Sequence, residues 1–380
     1  MSLARDIADL GSVTARLDTV GGSSGALSNR NLIINGGMQC WQRATATTIS
    51  GSGSYKTVDR FQIYEATNGV FTTEQSTGNA ADTGHDTALQ CNVTTIDSSI
   101  GAGQYAAIVH RIEAQNLQHL QWGTAAGKNL VLSFWVKSNK TGIYSLSTEK
   151  NDSTAYRRVN EFTINSANTW EQKTIKIPAL TNSNSGGTIA NDNGLGIKFE
   201  WCLAYGSTFT TTSLDQWITS SHFASTNQVN WMDSTSNNFY LTGIQLELGD
   251  FITPFEHRSF AQEFELCQRY FSKSYAYGTA IGATTSHGSI QTTYHENDQG
   301  SGYRENYGFK FPVQMRATPT IVIYDTAGTS GKCNYYIGTS SSPARTLNVS
   351  SINATSFGGY SDRATTMGGW ACQYTADAEL

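Results

Sequence analysis

Proton transfer in proteins falls to carboxylates and imidazoles, and this sequence scatters both without a fixed spacing. Glu65, Glu113, Glu149, Glu161, Glu200 and Glu247 lie on or beside stretches that read as strands. Hydrolysis of a glycosidic bond needs two carboxyls about 5 to 10 Å apart, one of them with a raised pKa. Spacing singles out no such pair, so each glutamate reads as a strand-face charge or an ion-pair partner. His110 with His119, or His287 with His295, are wrongly spaced for a metal-binding pair on a helix and have no acidic motif beside them. Residues 21 to 25 fit G-x-S-x-G, but a nucleophile elbow needs a strand-to-helix turn, and Ser23 follows a helical pattern and leads into a loop. No catalytic residue is assigned.

Metal and redox chemistry fare similarly. Cys40, Cys91, Cys202, Cys267, Cys333 and Cys372 are far apart, with no C-x-x-C pair and no histidine at zinc-ligand spacing, so they read as reduced core thiols. The stretches HENDQGSG (295 to 302) and TEKNDS (148 to 153) carry enough oxygen ligands for a structural calcium ion, yet neither follows the twelve-residue calcium loop, and polar turns account for them more simply. No cofactor is implied.

Contact chemistry has better material. A sugar presents apolar C–H faces ringed by hydroxyls, and a site for it combines exposed aromatic rings with amides and hydroxyls. The chain has 8 Trp and 18 Tyr among abundant Asn, Gln, Ser and Thr. Trp135 alternates with Leu132, Phe134 and Val136, and Trp170 lies opposite Ile175 and Ile177, so both are expected on a solvent face. Tyr294, Tyr303 and Tyr307, in a Gly/Asn-rich stretch, are further ligand-binding candidates.

The elements that would position these residues are mostly strands. Period-two alternation runs through Phe61 to Ile63, Leu89 to Val93, Tyr105 to Ile112, Leu130 to Ser138, Ile143 to Thr148, Lys173 to Ile177, Leu195 to Tyr205 and Tyr240 to Leu248. Short strands separated by Gly/Asn/Ser/Thr loops predict two stacked antiparallel sheets, a jelly-roll β-sandwich over 31 to 256. Before it, Leu3, Ile7, Leu10, Val13, Leu17 and Val20 recur at helical steps, which predicts an amphipathic helix over 1 to 20. Barely five turns long, that helix needs a partner to bury the seam formed by Leu3, Ile7, Leu10 and Leu17. A Gly/Ser linker follows over 21 to 30. Beyond the sandwich, Phe260, Phe264, Cys267 and Phe271 predict a helix of about three turns that opens a smaller β unit over 257 to 380. The expected fold class is mainly β: short N-terminal helix, jelly roll, then a helix and a small C-terminal β domain.

Bulk properties narrow the partners. Charged residues are 14% of the chain, against about 25% in ordinary soluble proteins, and the net charge is −5 with no basic run. Counterion release therefore has nothing to work with, and neither nucleic acid nor an anionic membrane is an expected partner. Arg5, Asp6 and Asp9 interrupt the place of a signal-peptide core, and no apolar run approaches ~18 residues, so membrane insertion is not expected and synthesis in a cytoplasm is.

Several strings carry a resemblance: NLIINGGMQCWQR (31 to 43), VDRFQIY (58 to 64), GIQLELGDFITPFEHRSFAQEFELCQRYF (243 to 271), FPVQMRATPT (311 to 320) and YTADAEL (374 to 380). Together they resemble virion proteins of tailed bacteriophages that begin with an asparagine-rich first strand and end in a compact β domain. NLVLSFWVKSNKTGIYSLS (129 to 147) and WEQKTIKIP (170 to 178) resemble carbohydrate-binding jelly-roll modules. The resemblance implies a tail fibre, tail appendage or related minor structural protein, commonly a homotrimer, assembled in the host bacterial cytoplasm and resident in the virion. Together with the rings and amides above, the leading expectation is host-surface glycan recognition, with the amphipathic N-terminal segment docking on other virion proteins. The alternative within the same class is a capsid or tail connector or decoration protein that contacts only virion proteins; a polysaccharide depolymerase is a third reading.

Overall fold

The computed structural model describes residues 29–51, 53–181, 186–293, 307–337, 340–360 and 368–380. The seam Leu3, Ile7, Leu10 and Leu17 lies outside them, as does the Gly/Ser stretch up to residue 28. What is described is mainly β, in two compact units.

The first unit contributes β1 (Ala46–Ile49), β2 (Phe61–Glu65), β3 (Val70–Thr77), β4 (Thr87–Thr95), β5 (Tyr105–Glu113), β6 (Leu130–Ser138) and β7 (Gly142–Lys150). It continues with β8 (Tyr156–Ile164), β9 (Glu171–Ile177), β10 (Leu195–Tyr205), β11 (Thr210–Thr211), β12 (Trp217–Ile218), β13 (Ala224–Ser225) and β14 (Asn238–Leu248). Among the described residues twelve of these form two six-stranded antiparallel sheets, ordered β1-β3-β4-β14-β6-β9 and β12-β8-β7-β10-β5-β2, and the other two, β11 and β13, pair with each other in parallel.

Alternation explains why they stack. Leu132, Phe134 and Val136 of β6, Leu89, Cys91 and Val93 of β4, and Ile175 and Ile177 of β9 are buried, as are Ile108, Leu146, Phe162, Phe199 and Trp201 of the second sheet. Phe134 meets Phe162 edge-on at 5.2 Å and Trp201 at 5.8 Å, so the two layers interlock through aromatic rings. Truncating a ring so placed costs about 3 to 5 kcal/mol.

The second sheet is buried on its other face as well. Residues 206–231 lie across it: Ser225 N–H donates to the Ser145 hydroxyl (2.9 Å), the Cys202 thiol to Phe223 O (3.3 Å) and Arg157 Nη1 to Ser220 O (3.1 Å). Sequence alternation makes Lys198 and Glu200 of β10 solvent-facing; the structure buries both beneath this segment. They are neutralised there, since Lys198 Nζ lies 2.8 Å from Glu149 and 2.6 Å from Glu200, and Arg157 grips Glu149 through two 3.1 Å bonds.

The second unit comprises Cys40–Thr45, Thr57–Arg60 and Phe260–Leu380. Its elements are α1 (Phe260–Gln268), β15 (Phe271–Lys273), β16 (Ile290–Thr293), β17 (Tyr307–Lys310), β18 (Thr320–Tyr324) and β19 (Lys332–Ile337). After these come β20 (Ser340–Thr346), β21 (Asn348–Ser350), β22 (Ser356–Tyr360) and β23 (Gly368–Asp377). The spine is β23, whose later half pairs with β15 and β18 and whose earlier half pairs with β16 and β19. Phe309, Phe311, Met315, Phe357, Trp370 and Tyr374 form its core. The helix spans nine residues, and Phe271, which the spacing places on it, opens β15 instead.

Two pieces that the sequence reading gives to the sandwich, Cys40–Thr45 and Thr57–Arg60, pack with this second unit. An ion cluster holds them: Arg43 reaches Asp59 (3.2 Å), Asp377 (3.1 Å) and Glu379 (3.3 Å) with its guanidinium 3.8 Å over Phe271. Arg60 pairs with Glu379 and lies 3.4 Å over the Tyr270 ring. Burial pushes the Asp59 carboxyl up to about 6, against the pull of Arg43. All six cysteines are buried free thiols.

Candidate functional site

Residues of the first sheet that alternate with its core positions form the outer face of that sheet. Register aligns several of them into one row: Glu74 of β3 opposes Gln90 of β4, Gln90 opposes Tyr240 of β14, and Tyr240 opposes Lys137 of β6. Neighbouring strands lie ~4.8 Å apart, so the row crosses the sheet at right angles to the strands. Trp170, the residue before β9, ends it: the Lys137 ammonium sits 4.3 Å from the Tyr240 ring and 5.0 Å from the Trp170 ring, and the two rings meet edge-on at 6.0 Å. One step along β6, Trp135 lies between Thr242 and Gln172. Amides extend the polar part, with Gln90 Nε2 donating to Asn92 Oδ1 (2.9 Å) and Asn92 Nδ2 to Glu74 Oε1 (2.7 Å). Gln172 is exposed, and Trp135, Trp170, Tyr240, Lys137, Gln90, Asn92 and Glu74 are half-buried. The result is a surface of rings and amides with charges of both signs at hand.

Both tryptophans are fixed in place. Trp170 Nε1 donates to Asn79 O at 2.6 Å, and the turn before it is locked by the Glu171 carboxylate. That carboxylate accepts from the Asn165 and Ser166 amides (2.8 and 2.9 Å), the Asn165 side chain (2.8 Å) and Lys173 Nζ (2.6 Å). Burial opposes the Glu171 charge, but these donors outweigh it and bring its pKa down to about 2. Trp135 stands beside a bulge in β14 between Thr242 and Gln245, where Gly243 takes φ +59°. A Cβ on Gly243 would come within 2.5 Å of His85 Nε2 and 2.8 Å of Trp135 Cδ1, so only glycine lets the imidazole and indole approach there. His85 is buried, 4.5 Å from Phe255 and 5.5 Å from His257, and burial, then the His257 charge, lowers its pKa to about 4. Burial lowers the Lys137 pKa, with Asp82 opposing, and burial with Glu74 raises that of Tyr240.

Of the candidate ligand-binding residues, the structure thus brings Trp135 and Trp170 onto one face. Tyr294 and Tyr303 lie outside the described residues; Tyr307 opens β17 through its backbone, and its side chain is likewise outside them. The six glutamates are all engaged. Glu65 accepts from Thr67 N–H (2.6 Å), Glu113 from Gln115, Glu161 from Asn227 (2.9 Å), and Glu247 from Thr253 N–H (3.1 Å), while Glu149 and Glu200 share Lys198. In TEKNDS (148 to 153) Glu149 is taken by Arg157 and Lys198, and Asp152 Oδ2 accepts from Ala190 N–H (3.0 Å), so those oxygens cap protein donors; 295 to 302 lies outside the described residues. Among the described residues no group of three or more His, Cys, Asp or Glu side chains could hold a metal, and no helix is long and apolar enough to cross a membrane.

No family model matches this sequence, and no curated protein matches it. Among solved structures the chain is similar to the CBM22-2 xylan-binding domain from Paenibacillus barcinonensis Xyn10C, at 15% identity and TM-score 0.28, covering 49% of this chain and 91% of that one. It is also similar to the family 11 carbohydrate-binding module from Clostridium thermocellum in complex with a mixed-linked tetrasaccharide, at 16% identity and TM-score 0.27, covering 55% and 100%. A third similar structure is the enzymatically active domain of bacteriophage CBA120 tailspike protein 4, at 12% identity and TM-score 0.27, of which this chain spans 21% while 58% of its own length is covered. No residue is carried over from them; the sandwich rests on its own strand pairing.

Sequence reasoning missed Tyr240, Lys137, Gln90, Asn92 and Glu74. The parity of β14 already sets Tyr240 opposite in face to Phe239 and Leu241, which was the available signal. Its neighbours were not legible, because β3 gave no clear alternation and strand order is a long-range property.

Proposed function

We propose that the sandwich is a glycan-binding module whose contact surface is the outer face of the first sheet, with Trp135, Trp170 and Tyr240 as stacking rings and Gln90, Asn92, Gln172 and Glu74 as hydroxyl partners. The observation that carries this reading is the aligned row from Glu74 to Trp170, held on hydrogen-bonded strands and solvent-accessible along its length. Preorganised rings lose little side-chain entropy on contact, which favours binding by many modest interactions. The resemblance of 31 to 43, 243 to 271 and 311 to 320 to tailed-phage virion proteins supports placing the module in a tail fibre or appendage. There a homotrimer would multiply weak contacts by avidity and the segment 1 to 20 would dock it on other virion proteins.

A glycan array and affinity electrophoresis in host polysaccharides test the module. Retardation of the wild-type protein is expected, with loss in Tyr240→Ala and Trp170→Ala. Silence across both assays, with capture of purified virion proteins instead, would favour the connector reading. Release of reducing ends from the same polysaccharide would favour a depolymerase. Light scattering reads the trimer, and particles assembled with residues 1 to 20 deleted read the docking role; normal incorporation would refute it.

A further inference from the structure

We infer that the edge of the second sheet carries a separate pocket for a single neutral sugar ring, independent of the aromatic row on the first sheet. An open hollow of about 400 Å³ is walled by Tyr156, which begins β8, and by Trp217 of the edge strand β12, with Ser213, Thr219, Ser220 and His222 on its rim. That volume falls at the lower end of small-ligand sites, which span about 300 to 1,000 Å³.

The wall is rigid where a ring would stack. Trp217 Nε1 donates to Pro178 O (3.0 Å) and its ring meets Trp122 edge-on at 5.5 Å, while Trp122 is itself buried and donates to Lys128 O (2.7 Å). The rim has unspent hydrogen-bonding capacity. Ser220 gives its carbonyl to Arg157 Nη1 (3.1 Å), yet its hydroxyl is buried with no hydrogen-bond partner among the described residues, a costly state that a rotation about one torsion and a ligand hydroxyl would relieve. Among the described residues the lining holds no carboxylate and no Lys or Arg, and the cation behind it, Arg157, is committed to Glu149 through two 3.1 Å bonds. An ionic ligand therefore finds no fixed opposite charge in that lining. A ring with one C–H face for Trp217 and Tyr156 and hydroxyls for Ser213, Thr219, Ser220 and the His222 imidazole matches the chemistry.

Saturation-transfer NMR on the full chain with the methyl β-glycosides of glucose, galactose and N-acetylglucosamine tests the pocket. At least one glycoside is expected to receive transfer from the wild-type protein, with affinity at least tenfold weaker in Ser213→Trp, which fills the hollow, and in His222→Ala, which keeps the test alive where the bulky variant does not fold. Trp170→Ala separates this site from the row on the first sheet. The inference is overturned by absence of transfer from all three glycosides, by transfer lost in Trp170→Ala, or by transfer that persists undiminished when Ser213→Trp or His222→Ala is added to folded Trp170→Ala protein, in which the row on the first sheet is disabled.

Discussion

The two outer faces of the sandwich obey the same alternation and meet opposite fates. On the second sheet, Arg157, Glu149, Lys198 and Arg111 stand opposite one another in register, and the segment 206–231 covers much of that face. On the first sheet, Glu74, Gln90, Tyr240 and Lys137 form an equivalent row that stays half-open to solvent. Covered charges must be paired because desolvation would otherwise dominate, so that row acts as scaffold. An uncovered row of rings and amides needs no such pairing and remains available for contact.

The largest expected effect breaks the covered face. Glu149→Ala leaves Arg157 without its carboxylate and Lys198 with Glu200 alone, and should destabilise the sandwich by about 3 to 5 kcal/mol, read from urea midpoints. A midpoint within error of wild type would mean that the charges are not buried as described.

Second comes pH. The folded-state pKa of His85 is depressed to about 4 from 6.5, so its contribution is present above pH 6.5 and is lost as pH falls through 4. Between pH 7 and pH 4 the wild-type protein should lose about 3 kcal/mol relative to His85→Phe. Parallel pH profiles for the two proteins would remove His85 from the account. Gly243→Ala should cost about 2 kcal/mol, through the left-handed backbone and the contacts with His85 and Trp135.

Smallest in stability, and most telling for the open face, is Trp170→Ala. Its half-exposed ring should be worth about 1 kcal/mol or less to folding while its loss abolishes polysaccharide retardation. Glu171→Gln, which loosens the turn without touching the ring, should weaken retardation and leave the melting temperature within a few degrees.

Most strands of the sandwich were legible because one face of each is buried against the other layer. Leu132, Phe134 and Val136 alternate cleanly with Trp135 and Lys137, and that parity alone turned Trp135 outward. β8 was missed because Arg157, Arg158, Asn160 and Glu161 are polar on both faces, and only their partners, among them Glu149 and Asp215, explain how they are accommodated. The burial of Lys198 and Glu200 was likewise invisible, since it depends on a segment some twenty residues further along the chain folding back over them. Trp170 was legible as a ring opposite Ile175 and Ile177, but its neighbours Tyr240 and Lys137 come from β14 and β6, and sheet order decides that meeting.

Hydroxyl-radical footprinting of the full protein, with and without a polysaccharide that retards it, tests the open face most directly. Protection should concentrate on Trp135, Trp170 and Tyr240 while Phe209 and Phe223 on the covered face keep their reactivity. Unchanged oxidation at those three rings, with protection confined to the covered face, would contradict the account.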